Sequence, residues 1–212
     1  MNYLAHAVFT DGPGDVLFGA MMCDRLANKR DKLLPEETKN GIKLHLDLDS
    51  FFNHELLEMS QSRRQLSKIV RHFWDPVLDM CCDHIIVSRW NTLFNNRIED
   101  YLDKIYPILK ERESFLSDDN KDIIQKIIEK DWLVSYGNIN ELDRVLTTRI
   151  AEKSLWGKIV QNNIKEIKEA VPLMEKEFLT AIPVIRKYTQ DQMKNLGYQP
   201  EGRILWREKF LL

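Results

Sequence analysis

The chain has 212 residues, enough for a single domain whose core requires neither disulfide nor structural metal. Its 31 Lys and Arg residues stand against 33 Asp and Glu, so no global field draws in nucleic acid or an anionic membrane. No apolar run approaches the ~20 residues needed to span a bilayer.

The opening Met1 to Phe9 lacks the basic region and long apolar run of a signal peptide. Cys23, Cys81 and Cys82 have neither zinc-site spacing nor the pattern of a secreted disulfide framework, so a reducing cytosol is expected. Eight glycines, seven prolines and an apolar period of three and four residues favour an all-α fold, a single-domain helical bundle.

In chain order, Gly12-Pro13-Gly14 is a turn, and Asp15 opens a predicted helix running through Gly19 and Asp24 to about Ala27. Leu33-Leu34-Pro35-Glu36-Glu37 begins the next, with proline at its first helical position and acids in its first turn. It should carry Leu44, His45, Leu48, Asp49 and Phe52. A charged stretch from Ser62 to Arg71 follows, and Asp75-Pro76 opens an apolar helix from Val77 to about Trp90. Further helices are expected at about 97–112, 118–134 and 139–153, then a long helical region at 155–195 in which Pro172 and Pro183 mark kinks or breaks. Residues 1–196 read as the domain and 197–212 as a tail containing Trp206 and Phe210.

All five histidines fall within the first 84 residues. His45 and Asp49, four apart, share one helix face, either as a core hydrogen bond or as a pair of ligands. Asp79, Asp83 and His84 stand in a helix apolar almost all round. Two carboxylates one turn apart there repel, and burial without a partner costs several kcal/mol, so a cation or an arginine must neutralise them. Asp24 is another acid deep in an apolar helix. His6 lies on an apolar segment, as a satisfied core residue or a ligand. Mixed imidazole and carboxylate donors suit a first-row divalent ion such as manganese, iron or zinc.

Taken in order, these blocks resemble one known family. Met1-Asn2-Tyr3-Leu4-Ala5-His6 resembles the M-N-[FY]-L-A-H start of the acyl-carrier-protein phosphodiesterases. Gly19 to Asp24 is similar to the family's G-N-x-x-x-D block, and Gly41 to Asp49 to its G-I-x-x-H-R-x-I-D block. Arg71-His72-Phe73 and Asp79-x-x-x-Asp83-His84, followed by Trp90, resemble its central helix. The resemblance extends to about residue 190 and implies an all-helical fold distantly similar to the HD phosphohydrolases. It further implies a manganese-dependent phosphodiesterase acting on holo-acyl carrier protein, at the phosphodiester between 4′-phosphopantetheine and a serine. The metal-site candidates it carries over are His6, Asp24, His45, Asp49, Asp83 and His84, with Asp24 orienting the attacking water.

The carrier protein is acidic, so basic docking surfaces are expected at Arg63, Arg64, Lys68 and Arg71, or at Lys29, Arg30 and Lys32. The chain departs from the family pattern at Ala20, Asn28, Leu46 and Asn53. Leu46 stands where the pattern has an arginine able to clamp a phosphate, and Asn53 removes a negative charge. A different metal phosphohydrolase on the same fold, or a non-catalytic binding protein, are the alternatives.

Overall fold

The computed structural model describes residues 1–26, 34–56, 60–148 and 157–210. Helices account for the regular structure in them; strand-like pairing is limited to one isolated bridge between Phe94 and Trp206. The chain therefore has the all-α class expected of it. Asn28, the basic cluster Lys29, Arg30 and Lys32, and the end of the helix expected at 139–153 lie outside the described residues.

Helix α1 (Tyr3–Phe9) is buried along its whole length, which is why its sequence is apolar apart from His6 and the Tyr3 hydroxyl. Helix α2 (Gly14–Leu26) carries Asp15 in its first turn, where the carboxylate meets the helix dipole and an Arg112 Nε 2.8 Å away. Helix α3 (Glu36–Ser50) starts one residue after Pro35, with Glu36 and Glu37 in its first turn. It passes directly into a π-helical turn, Phe51–Leu56.

The stretch from Ser62 to Arg71 is also helical. In α4 (Gln61–Val70) the Ser60 hydroxyl accepts the Arg63 amide, and the Glu177 carboxylate accepts those of Gln61 and Ser62. Helix α5 (Trp74–Ser88) is the hub, packed against α1, α4 and several later helices. The short α6 (Trp90–Leu93) and the helices α7 (Ile98–Glu111), α8 (Asp118–Glu129), α9 (Trp132–Ser135) and α10 (Ile139–Leu146) build the second half. The helix expected at 118–134 is divided because Asp131 takes a left-handed φ of 43°.

After α11 (Lys158–Asn162) comes α12 (Ile164–Asn195), which runs unbroken through Pro172 and Pro183. The prolines do not interrupt it because neither ring is buried, leaving the carbonyls they deprive of a donor on the outer side of the helix, where water can satisfy them.

Helices α2 and α3 cross where Gly19 and Gly41 meet. A Cβ on Gly41 would lie 2.9 Å from the Gly19 Cα, and one on Gly19 3.1 Å from the Gly41 Cα. Both would also drive into carbonyls, of Val16 and Thr38 respectively. Two glycines at one crossing therefore set the helix separation, a packing role that each position's own sequence context does not reveal.

The tail beyond Gly197 lies against the start of the chain. Asp11 accepts the amides of Arg203 and Ile204 at 2.9 and 3.3 Å, and Trp206 stacks on Phe9 with ring centroids 5.6 Å apart. Arg186 spans the Trp206 ring and donates to the Phe210 carbonyl. No described helix is long and apolar enough to cross a membrane.

Candidate metal centre

The close α2–α3 crossing brings the main chain of one helix within reach of the side chains of the other. His45 on α3 has its Nδ1 2.8 Å from the Ala20 carbonyl of α2. A carbonyl can only accept, so Nδ1 carries the hydrogen. The other ring nitrogen, Nε2, then faces Asp49 Oδ2 at 3.2 Å and Asp24 Oδ1 at 3.8 Å.

An imidazole lone pair opposite two carboxylates requires a positive charge between them, either a proton or a metal ion. A ligating histidine commonly has its far nitrogen tied to a carbonyl in this way. The donor set at His45 and Asp49 therefore fits a divalent ion as well as a proton.

His6, from α1, stacks on His45 with centroids 3.8 Å apart and planes 18° from parallel. Its Nε2 lies 3.0 Å from the Met1 carbonyl and 3.2 Å from Asp49 Oδ1. Both neighbours accept, so this nitrogen is the protonated one, and the buried Nδ1 has no hydrogen-bond partner. To ligate through Nε2, His6 would have to shift its proton to Nδ1.

Burial and the neighbouring His45 push His6 down to about 3, keeping it neutral. Burial acts the same way on His45, but hydrogen bonding and charge from Asp49 outweigh it and raise that imidazole above its ordinary value. For Asp49, the hydrogen bonds from His45 and His6 overcome the burial that would raise it and hold the carboxyl far below the usual range. His6, His45 and Asp49 thus form one group with a ligand atom from each within 4.8 Å. Asp24, about 79% exposed, forms its solvent-facing rim.

The acids of α5 take other partners. Asp83 is fully buried, and its two oxygens accept the Ala5 and Leu4 amides at 2.8 and 3.1 Å. It satisfies the unpaired first-turn donors of α1, the need a helix start always presents. Burial nevertheless raises its pKa to about 7, against the pull of those amides. His84 places Nδ1 2.6 Å from the Tyr136 carbonyl, and burial lowers its pKa. Neither joins the two groups of potential ligands found among the described residues; the second consists of Cys23, Asp24 and His45 and adds a buried thiol that the sequence reading did not single out.

Asp79 pairs through Oδ1 with the Met1 nitrogen at 2.7 Å, and the same nitrogen is 2.8 Å from Asp49 Oδ1. Burial works against that ammonium, yet Asp79 and Asp49 prevail and raise it to about 11. Asp79, pushed up by burial and only partly compensated by the ammonium, sits at about 6. The protein groups that the α5 acids meet are thus main-chain amides and the Met1 nitrogen, with no arginine among them.

Of the basic residues, Arg64, Lys68 and Arg71 are exposed on α4 and its C-cap, whereas Arg63 lies over the Trp74 ring, 4.7 Å from its centroid. Leu46 is exposed on α3.

At the edge of the helical bundle, imidazoles and carboxylates from α1, α2 and α3 converge. The family model described as acyl carrier protein phosphodiesterase matches residues 1–185, and the chain belongs to that family. No curated protein and no solved structure matches it.

Proposed function

We infer that the protein is a divalent-cation-dependent phosphodiesterase that cleaves the 4′-phosphopantetheine–serine phosphodiester of holo-acyl carrier protein. Membership of the family supports the reaction class and the partner. The observation that carries the metal reading is the His45–Asp49 pair, with Nδ1 locked on the Ala20 carbonyl and Nε2 aimed at carboxylate oxygen. His45 and Asp49 would hold the ion, with His6 and Asp24 completing its surroundings, and manganese is the ion that the resemblance implies. When bound, such an ion polarises phosphoryl oxygens and lowers the pKa of water from ~15.7 towards ~7.

The chain's own groups divide the remaining work. Asp49 would be the carboxylate that holds the ion, with Oδ1 tied to Met1 and His6 and Oδ2 facing His45. Asp24, exposed at the rim, is placed to accept a hydrogen bond from water approaching the phosphoester. His6 on α1 and His45 on α3 are buried, whereas Asp49 is partly exposed. The exposed Arg64, Lys68 and Arg71 would meet the acidic carrier protein, with Arg63 supporting them from its seat on Trp74.

Manganese content and release of phosphopantetheine from holo-acyl carrier protein, followed by mass spectrometry, test the reading. His45→Ala should lower metal affinity roughly 100-fold or more and abolish release; metal content and turnover equal to wild type would end the metal reading. Reversing charge at Arg64 and Lys68 should raise KM in a salt-dependent way with kcat unchanged. A folded wild-type chain that binds the carrier protein but neither manganese nor its phosphodiester would instead be a binding protein.

A further inference from the structure

Of the three cysteines, Cys81 and Cys82 on α5 are packed into the main apolar core, where a buried thiol serves as a small hydrophobe. Cys23 on α2 is hidden almost as well, 2% exposed, yet among the described residues it belongs to neither apolar cluster of buried side chains. Its sulfur, a carboxylate oxygen of Asp24 and a ring nitrogen of His45 lie within 4.8 Å of one another. We propose that Cys23 is a sulfur ligand to the ion held at His45, and that it turns the site of this chain toward zinc over manganese.

Helix geometry explains the placing. Cys23 and Asp24 follow Ala20 by three and four residues, so the three share one face of α2. The Ala20 carbonyl on that face accepts from His45 Nδ1 at 2.8 Å, and the contact of Gly19 with Gly41 lets α3 come close enough for it. Nε2, the nitrogen left for a ligand, has Asp24 Oδ1 at 3.8 Å from α2 and Asp49 Oδ2 at 3.2 Å from its own helix. Ligands sharing a tetrahedral zinc, with bonds of about 2.0 to 2.3 Å, stand roughly 3.3 to 3.8 Å apart. Both oxygens are close to that spacing, and α2 brings the sulfur to the same imidazole.

The thiol changes which ion this donor set prefers. Carboxylate and imidazole suffice for manganese, whereas a thiolate favours softer ions such as zinc and cobalt. As the metal–sulfur bond forms, the thiol proton passes to solvent, and the thiolate adds its charge to those of the carboxylates.

The proposal rests on the metal reading of His45 and Asp49, and cobalt separates the two. The full chain is stripped with a chelator and titrated with cobalt(II), zinc and manganese, beside Cys23→Ser and His45→Ala. Wild type with cobalt should show the intense near-ultraviolet band of sulfur-to-cobalt charge transfer, and both variants should lack it. Cys23→Ser should bind zinc roughly 100-fold more weakly, with manganese affinity changed less than about threefold, because only the softer ion loses a preferred donor. In wild type itself, zinc should slow iodoacetamide alkylation of the Cys23 peptide at least roughly tenfold more than that of the peptide holding Cys81 and Cys82, read by peptide mass.

Cobalt binding without the band, a band that persists in Cys23→Ser, or zinc affinity unchanged in that variant would overturn the proposal and leave the metal reading standing. A wild-type chain that binds none of these ions would end both. Should Cys23→Ser not fold, the wild-type band and alkylation ratio decide: equal slowing of the two peptides would overturn the proposal.

Discussion

Two clusters built from the same residue types meet opposite fates in this protein. His45 and Asp49 on the amphipathic α3, and Asp79, Asp83 and His84 on the largely apolar α5, are both carboxylates and imidazoles about one turn apart. On α3 the two side chains face each other, His45 Nε2 lying 3.2 Å from Asp49 Oδ2 while Nδ1 donates to the Ala20 carbonyl. On α5 the groups point apart: Asp83 to the amides of α1, Asp79 to the Met1 nitrogen and His84 to the Tyr136 carbonyl. The difference teaches that a buried acid need not signal a metal. It signals an unpaired donor, and the start of a neighbouring helix supplies donors as well as a cation does.

The sharpest way to break this comparison is at the crossing that makes the α3 site. Gly41→Val puts a branched side chain into the Val16 carbonyl and the α2 main chain. It should cost about 3 kcal/mol or more in urea unfolding, above the usual overpacking penalty because backbone cannot rotate away. It should also separate His45 from the Ala20 carbonyl. A variant as stable as wild type would mean that the crossing does not position the site.

Next in size, Asp83→Ala strands two buried amides and should cost about 2–4 kcal/mol by calorimetry. Manganese content of the folded protein should persist, since His45 and Asp49 stand on another helix. Loss of metal from a folded Asp83→Ala protein would erase the distinction between the two clusters.

A smaller effect follows from His84, whose folded pKa is lowered from 6.5 by burial. The folded state therefore prefers the neutral ring, so its contribution is complete above about 6.5 and is lost as pH falls through the lowered folded value. His84→Asn keeps a donor for the Tyr136 carbonyl but cannot titrate. Between pH 6.5 and 5 wild type should lose up to about 1 kcal/mol more than the variant per pH unit. Parallel curves would show that the ring does not titrate with folding.

Smallest of all, charge reversal at Arg64 and Lys68 should alter stability by less than about 0.5 kcal/mol, because both are exposed on α4. A larger loss in the same urea assay would make that face structural rather than a docking surface.

Much of this was legible along the chain. The all-helical class, the starts of α2 and α3, the bounds of α7, and the facing of His45 and Asp49 follow from apolar period, first-turn acids and four-residue spacing. Other features were not. The start of the chain forms a helix, α1, whose uniform burial erases the amphipathic signal. Pro172 and Pro183 sit inside α12 because an unburied face tolerates a missing hydrogen bond. The pairing of Gly19 with Gly41 joins residues whose shared role appears only when the helices touch.

What the sequence determined by itself was local: which segments coil, and which side chains share a face, since a helix's geometry depends on nearest neighbours along the chain. Which partner each charged group takes was decided by the tertiary structure alone. Asp83 meets amides 78 and 79 residues away, and Asp79 meets the Met1 nitrogen. The free energy of a buried charge depends on what lies within a few ångströms in space, and no spacing along one helix contains that information.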